Sequence, residues 1–201
     1  SACVVGAAAL EIKRGQRFII NCGCASMGYD LPAAIGASFA RNKKEVFCFA
    51  GDGSIQMNIQ ELQTMVYHNL PVKILIFNNS GYHSMRLTQR NLFPEYTEVG
   101  VGPESNDLSF PDLKKISQAY GIPYYSASNN EELNNCLSEF VKKDGYALCE
   151  VFLDINQPFE PKPSARKLDD GTLVSPPMED MAPFLDRDEL KRIMIVPMVG
   201  E

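Results

Sequence analysis

The chain has 201 residues, and 45% of them are hydrophobic, which is enough to build one domain with a sizeable core. Its 25 Asp and Glu residues outnumber its 19 Lys and Arg residues, and the resulting net charge of −6 argues against a nucleic-acid-binding protein. No apolar run reaches the ~20 residues of a membrane-spanning helix, so we expect no association with membranes.

Apolar runs alternate along the chain with segments of helical periodicity. The runs predict short buried strands over residues 17–21, 45–50, 72–78, 122–126 and 147–153. The periodic segments predict helices over residues 55–68, 109–120 and 131–141. Ser128 and Glu131 have the spacing of a capping box before the last of these helices. The repeated order strand, helix, strand predicts an α/β fold, namely a three-layer αβα sandwich with a mainly parallel central sheet.

Two segments fall outside this alternation. Residues 91–108 are rich in Gly, Pro, Asn and Glu and predict a long loop, which in a compact domain is usually functional or mobile. Beyond the last predicted strand the chain becomes irregular, with five prolines from Pro158 to Pro177. We therefore expect one domain over residues 1–155, followed over residues 156–201 by a proline-rich tail that packs on that domain or on a partner.

The six cysteines lie mostly in apolar runs, and only two histidines accompany them, so no zinc-type spacing can be assembled. Cys22 and Cys24 could form a redox or metal pair, but two thiols without further ligands are expected to be packed. Buried, reduced thiols predict a cytoplasmic protein.

Polar residues follow two neighbouring predicted strands. Asp52 lies in the segment Gly51-Asp52-Gly53-Ser54 directly after one strand, and Asn79 follows the next strand, 25 positions beyond Ser54. A strand–helix–strand crossover brings both residues to the carboxyl edge of one sheet, where open α/β sheets bind their ligands. One carboxylate and one amide oxygen, together with backbone carbonyls, form a donor set that suits Mg²⁺, whose other ligands come from phosphates and water.

The same loop has features of a phosphate-binding turn. Gly51 and Gly53 permit a tight turn and close approach of the backbone to a phosphate, and Ser54 adds a hydroxyl donor. The helix predicted after Ser54 would present its N-terminus to the anion. Taken alone, Asp-Gly is usually only a turn. Neither an ATP-type loop with a following Lys nor the glycine pattern of a nicotinamide site is present in the sequence.

The GDGS segment, its spacer and Asn78-Asn79 together resemble the diphosphate motif of thiamine diphosphate-dependent enzymes. Residues 25–36, ASMGYDLPAAIG, resemble that family's other cofactor signature, and residues 23–89 as a whole are similar to the C-terminal, diphosphate-binding domain of acetolactate synthase-like enzymes. The likeness weakens but continues toward the tail. The chain departs from the family pattern at Ala25 and Asp30, where glycine is more usual.

The resemblance implies roles for the matching positions. Asp52 and Asn79 would coordinate Mg²⁺ through their side chains, and Gly81 would do so through its backbone carbonyl. Met27 would be the apolar wedge that bends the cofactor, unless it is core filler, and the backbone of Ala25 would contact the aminopyrimidine. The positions expected to contact the cofactor are Ala25, Ser26, Met27, Gly51, Asp52, Gly53, Ser54, Asn79, Gly81, Tyr82 and Met85.

Other polar residues near the motif have two interpretations each. His83 could relay protons, but we expect it to be solvated at the start of a helix. Arg86 and Arg90 could bind an acidic substrate or could equally line a solvated helix face. Glu61 is interpreted as structural, and Met85 would lie near the thiazolium or the substrate.

In this family the glutamate that activates the cofactor lies on a separate N-terminal, pyrimidine-binding domain, and this sequence contains no counterpart of it. No catalytic residue is therefore assigned in this chain, and we expect the chain to be inactive by itself. Its partners would be that domain, from the same or a partner chain, and a second copy in a homo-oligomer. FAD is bound in some relatives by a middle domain and would not bind here. An excised domain or a naturally split enzyme would explain this organisation.

The function implied by the resemblance is that of a thiamine diphosphate- and Mg²⁺-dependent transferase or lyase. It would decarboxylate a 2-oxo acid, pyruvate by default, and join the product to a second carbonyl compound. Two alternatives stay open, namely a simple 2-oxo acid decarboxylase of the pyruvate or benzoylformate type, and a non-catalytic cofactor-binding or regulatory subunit.

Overall fold

A computed structural model describes residues 2–197 of the chain. These residues form two compact units, of which the first ends at Ile155 and the second begins at Asn156. Within the described part of the chain, no helix is both long enough and apolar enough to cross a membrane.

The first unit is built on a four-stranded parallel sheet. Its strands are β1 (Val46–Gly51), β2 (Val72–Asn78), β3 (Tyr124–Ala127) and β4 (Ala147–Phe152), in the spatial order β1-β2-β4-β3. All three pairings are parallel, with Val46 opposite Val72, Lys73 opposite Ala147 and Tyr124 opposite Leu148. Because every strand runs the same way, all four carboxyl ends lie at one edge of the sheet.

Helices surround this sheet. The helices of the first unit are α1 (Ala2–Ala9), α2 (Asp30–Ala40), α3 (Glu61–Tyr67), α4 (His83–Leu92), α5 (Leu113–Ala119) and α6 (Asn130–Lys142). The second unit has a short antiparallel pair, β5 (Arg166–Lys167) and β6 (Leu173–Val174), and one helix, α7 (Arg187–Ile193).

Alternating side chains of the strands supply two hydrophobic clusters. Leu148 of β4 belongs to the larger cluster, which also contains Leu31 of α2 and Leu62 of α3. Its neighbour Cys149 belongs to the second cluster, with Phe140 of α6. Since successive strand residues point to opposite faces, helices cover both faces of the sheet. The predicted α/β class, with three layers and a mainly parallel sheet, is confirmed.

Four local predictions are wrong. Residues 17–21 form no strand, because this apolar run pairs with no neighbouring strand and leaves Ile19 54% exposed. The predicted helix over 55–68 is divided into a 3-10 turn, Ile55–Asn58, and α3. The cap of α6 is Asn129 instead of Ser128, and its side chain accepts from the backbone N–H of Glu132 at 2.9 Å. The helix predicted from residue 109 begins only at Leu113.

The thiols are less buried than predicted. Cys48 and Cys149 are buried, but Cys3, Cys22 and Cys24 are exposed, so Cys22 and Cys24 are not packed. The reason is that the segment before α2 has no regular structure that could cover them. Between α4 and α5, as predicted, the chain forms a long loop, whose one short regular element is the 3-10 turn Pro103–Ser105.

Candidate metal and cofactor site

Asp52 and Asn79 follow the ends of neighbouring parallel strands at the carboxyl edge of the sheet. Asp52 comes after the last residue of β1, Asn79 comes after the last residue of β2, and each is only 4% exposed. The backbone N–H of Gly81 donates to Oδ2 of Asp52 at 2.8 Å. The two motifs predicted to meet are therefore in direct contact.

Burial dominates the electrostatics of Asp52. Removal from water raises the pKa of its carboxyl to about 6, although backbone N–H groups of Gly81, Gly53 and Asn79 partly offset the shift. Desolvation penalises the charged form, whereas these hydrogen bonds favour it. A carboxylate in such a position is stabilised by a cation more strongly than an exposed one would be.

The turn after β2 has a strained backbone that side chains hold in place. Ser80 has a φ of 56°, which is unusual for a residue other than glycine, and its N–H donates to Oδ1 of Asn78 at 2.9 Å. Asn78 Nδ2 donates to Glu150 at 2.6 Å, and the hydroxyl of Tyr124 donates to the same carboxylate at 2.5 Å. Burial, and then the Glu150 carboxylate, raise the pKa of Tyr124. Sequence reasoning missed Glu150 and Tyr124, which lie far from the motif along the chain.

One position of the predicted phosphate loop, Gly53, must be glycine because the ring of Tyr82 lies so close to it. A Cβ at Gly53 would lie 2.5 Å from Cε1 of Tyr82, and the ring of Tyr82 packs edge-on against Phe110 at a centroid distance of 5.5 Å. Gly51 is less constrained, because its Cβ would be in ordinary contact with Ser54 at 3.8 Å.

Ser54 is engaged with the segment that precedes α2. Its Oγ accepts from the N–H of Gly28 at 2.9 Å and donates to Oδ2 of Asp30 at 2.8 Å. Asn58 Nδ2 also donates to the carbonyl of Gly28, at 2.8 Å. Asp30, where the resembling family usually has glycine, thus holds the hydroxyl that was expected to face a phosphate. Burial raises the pKa of Asp30, opposed by its bonds to Ser54 and Leu31.

Most of the remaining predicted cofactor contacts are exposed. Met27 and Met85 are 46% and 44% exposed, so Met27 is not core filler. Ala25 and Ser26 are also exposed, and Ala25 has a φ of 50°. Tyr82 is half-buried beside Gly53.

His83 and Arg86 contradict the expectation of a solvated helix face, because they are only 1% and 0% exposed. Nη1 of Arg86 lies 3.2 Å from Nδ1 of His83. The loop between α4 and α5 covers this side of α4, and no local signal in the sequence indicates that. Arg90 does lie at the surface, paired with Glu98. Glu61 accepts from the hydroxyl of Thr64 at 2.8 Å, in keeping with a structural role.

Asp52 and Asn79 are a sparse donor set. Across residues 2–197, no group of three or more His, Cys, Asp or Glu side chains is placed to hold a metal ion. Such a set fits a cation that takes most of its ligands from substrate oxygens, water and backbone carbonyls.

A family model described as thiamine pyrophosphate enzyme, C-terminal TPP binding domain, matches residues 1–151. The chain belongs to this family. Thiamine pyrophosphate is the thiamine diphosphate expected from the two motifs, so the family predicted from the sequence is confirmed.

Curated proteins similar to this chain include several acetolactate synthases. The chain is 35% identical to the acetolactate synthase large subunit of Porphyra purpurea over 144 residues, covering 71% of this chain and 24% of that protein. It is 34% identical to acetolactate synthase isozyme 2 large subunit of Escherichia coli K12 over 142 residues, 70% of this chain and 25% of that protein. The chain thus spans about a quarter of the length of these relatives.

Two further comparisons extend this relationship. The probable acetolactate synthase large subunit of Methanococcus aeolicus is 32% identical over 179 residues, which cover 88% of this chain and 28% of that protein. An alignment of that length must include part of the second unit. Among solved structures, a thiamine diphosphate-dependent 4-hydroxybenzoylformate decarboxylase of Rhodococcus jostii RHA1 superposes with a TM-score of 0.57 at 25% identity, covering 67% of this chain and 24% of that one.

Proposed function

We propose that this chain binds the diphosphate of thiamine diphosphate through Mg²⁺ at the carboxyl edge of its sheet. The side chains of Asp52 and Asn79 and the carbonyl of Gly81 would be the protein ligands. The observation that carries this proposal is the buried contact between Asp52 and the turn after β2, in a chain of the thiamine pyrophosphate family. A buried carboxylate without a fixed cationic partner is costly, and a bound cation would offset that cost.

The rest of the predicted cofactor contacts would surround this metal site. Gly51, Gly53 and Ser54 would hold the diphosphate, with the Ser54 hydroxyl oriented by Asp30. Met27 would support the bent cofactor, and its 46% exposure leaves it available for that contact. The positions proposed to lie against the rings or the substrate are Ala25, Ser26, Tyr82 and Met85.

The proposed reaction of the complete enzyme is decarboxylation of a 2-oxo acid followed by joining to a second carbonyl compound. The names of the similar curated proteins, acetolactate synthases, support it. Bound thiamine diphosphate supplies the electron sink that stabilises the carbanion, and the protein binds and orients it. Because the chain spans about a quarter of those relatives, we assign the activating glutamate to a pyrimidine-binding domain of the same or a partner chain.

The other proposed properties are those of the assembled enzyme. A homo-oligomer, a cytoplasmic location and FAD in a different domain remain predictions. We also propose residues 156–201 as a tail that packs on its own domain or on a partner.

A second candidate function is simple decarboxylation of a 2-oxo acid. The observation that favours it is the structural similarity to a 4-hydroxybenzoylformate decarboxylase. Product analysis distinguishes the two reactions, because carboligation yields a 2-hydroxyketone and simple decarboxylation yields an aldehyde. A non-catalytic cofactor-binding subunit would give neither product.

The metal site is tested by calorimetric titration of thiamine diphosphate with and without Mg²⁺. We expect Asp52→Ala to abolish the Mg²⁺ dependence, with a loss of metal affinity larger than the roughly 10–100-fold typical of residues behind the ligands. Asp144→Ala is the control, because it removes an exposed carboxylate next to the amino end of β4. Equal Mg²⁺-dependent binding by the parent chain and Asp52→Ala would refute the site.

A further inference from the structure

The segment from Glu98 to Glu104 is fastened along α4 by three side chains of that helix. Gln89 exchanges two hydrogen bonds with the backbone of Val99, at 2.8 and 2.9 Å. Arg90 pairs with Glu98, and Arg86 pairs with Glu104 at 2.9 Å. The middle of the long loop is therefore held against α4, the helix that follows the turn of Asn79, Ser80 and Gly81, here called the metal-binding turn.

Arg86 connects this loop segment to the turn itself. Its guanidinium donates to the carbonyls of Asn79 at 3.4 Å and Ser80 at 3.0 Å, and also to Glu104. A buried guanidinium needs both a charged partner and several acceptors, and here Glu104, the turn and the carbonyl of Ile155 at 3.5 Å supply them. The carbonyls of Asn79 and Ser80 are thus occupied as acceptors of Arg86. This leaves the Asn79 side chain and the Gly81 carbonyl for coordination.

The backbones of the turn and the loop approach so closely that only glycines fit. A Cβ at Gly81 would overlap the carbonyl oxygen of Val101, and a Cβ at Gly102 would overlap the carbonyl oxygen of Ser80. The N–H of Tyr82 also donates to the carbonyl of Val101 at 2.7 Å. A displacement of this loop segment must therefore move the turn that carries Asn79 and Gly81.

We propose that Arg86 and Glu104 are positioning residues for the metal site. Glu104 fixes the guanidinium of Arg86, and Arg86 fixes two carbonyls of the turn, so that Asn79 and Gly81 are held in the geometry that Mg²⁺ requires. This inference rests on the proposed function. It assigns a role to a loop residue that no sequence motif indicates and that lies 25 positions beyond Asn79.

The chemistry of the cation separates positioning from a merely structural role. Mg²⁺ demands near-ideal octahedral geometry, whereas Ca²⁺ accepts variable geometry and a larger number of ligands. Loosening of the turn should therefore weaken Mg²⁺ more than Ca²⁺. Partial unfolding lowers the amount of binding-competent protein for Mg²⁺ and Ca²⁺ alike. The ratio of the two affinities therefore reports the geometry of the metal ligands and not the amount of folded protein.

The test measures the dissociation constants of Mg²⁺ and Ca²⁺ by calorimetry in the presence of saturating thiamine diphosphate. Glu104→Gln removes the charge but keeps the shape, and Glu104→Asp withdraws the carboxylate from Arg86. Glu98→Gln is the matched control, because it breaks the other ion pair between the same loop and the same helix. The proteins compared are the complete protein that contains this chain and its three variants.

For both Glu104 variants we expect the Mg²⁺ dissociation constant to rise about tenfold, as for other residues behind metal ligands, and the Mg²⁺ to Ca²⁺ preference to fall. Glu98→Gln should stay within about twofold of the parent protein. An unchanged cation preference in the Glu104 variants, with Mg²⁺-dependent binding in the parent, overturns the positioning role alone. Absence of Mg²⁺-dependent binding in the parent refutes the proposed function and this inference with it.

Discussion

Among single residues, Asp52 determines how the metal-free site responds to pH. Its pKa in the folded chain is about 6, against 3.8 for an ordinary aspartate, so ionisation opposes folding as the pH rises through this interval. The penalty grows by about 1.4 kcal/mol between pH 5 and pH 8. We expect Asp52→Asn to gain that much stability, relative to the parent chain, over the same pH change. Urea unfolding with a chelator present measures it.

Asp107→Asn is the control for this pH dependence. The hydroxyl of Ser105 and the N–H of Gly100 lower the pKa of Asp107, so that its ionised form favours folding. That contribution is lost only as the pH falls below the ordinary aspartate value of 3.8. Its effect should therefore be the same at pH 5 and pH 8. If the stability difference between Asp52→Asn and the parent chain does not change with pH, the raised pKa that burial gives Asp52 is contradicted.

Gly53 gives a steric prediction at the same scale. A methyl group there meets the ring of Tyr82, so Gly53→Ala should lower the free energy of unfolding by about 1–3 kcal/mol. Tyr82→Leu in the same chain should recover most of this loss, because the obstacle is a side chain. Gly81→Ala should not be rescued by Tyr82→Leu, since its obstacle is the backbone of Val101. Urea titration of the three single and two double variants measures the coupling.

The sequence indicates the residues of the site that follow strand ends, and it misses those that depend on the loop. Asp52 and Asn79 were predictable because a parallel crossover places the ends of adjacent strands together. The burial of Arg86 was not predictable, because helix periodicity cannot show that residues 98–104 cover that face. Asp30 was noted only as a departure from the family, and its bond to Ser54 required the folded chain.

At the scale of elements, the start of α6 distinguishes two candidate caps. The side chain of Asn129 accepts from the N–H of Glu132, whereas Ser128 contributes only its backbone N–H, which donates to the Glu132 carboxylate at 2.9 Å. We expect Asn129→Ala to destabilise the chain by about 1 kcal/mol and Ser128→Ala to have little effect. Thermal unfolding of the two variants checks this. A larger loss for Ser128→Ala would restore the cap inferred from the sequence.

The central strands of the sheet were predicted well, and segments outside the sheet were not. β2 has no exposed residue and β4 has only one, so their continuous apolar runs give a clear signal. Residues 17–21 carry a similar short run without a strand to pair with, and composition alone cannot show a missing partner. α2 was identified only as a motif, because its small residues, Ala33, Ala34, Gly36 and Ala37, give little periodicity.

For the whole molecule, the proposed division of labour between domains predicts inactivity. The 201-residue chain by itself, with saturating thiamine diphosphate and Mg²⁺, should release no carbon dioxide from pyruvate. In the proposed mechanism the activating glutamate would lie outside this chain, so the cofactor would bind without being activated. A coupled assay for carbon dioxide measures this, with a complete acetolactate synthase as positive control. Enzyme-like turnover by the chain alone would refute this division.

The strand order also determines the order in which the first unit can assemble. β1 pairs with β2, and β3 pairs with β4, each across a single crossover, whereas the β2–β4 pairing joins distant halves of the chain. Loop closure makes the distant pairing the slowest to form. Asp52 and Asn79 belong to the first half, whereas Glu150, which holds Asn78 beside the turn, belongs to β4, so the turn gains all its supporting hydrogen bonds only as the halves join. Cofactor affinity would then report completion of the last folding step.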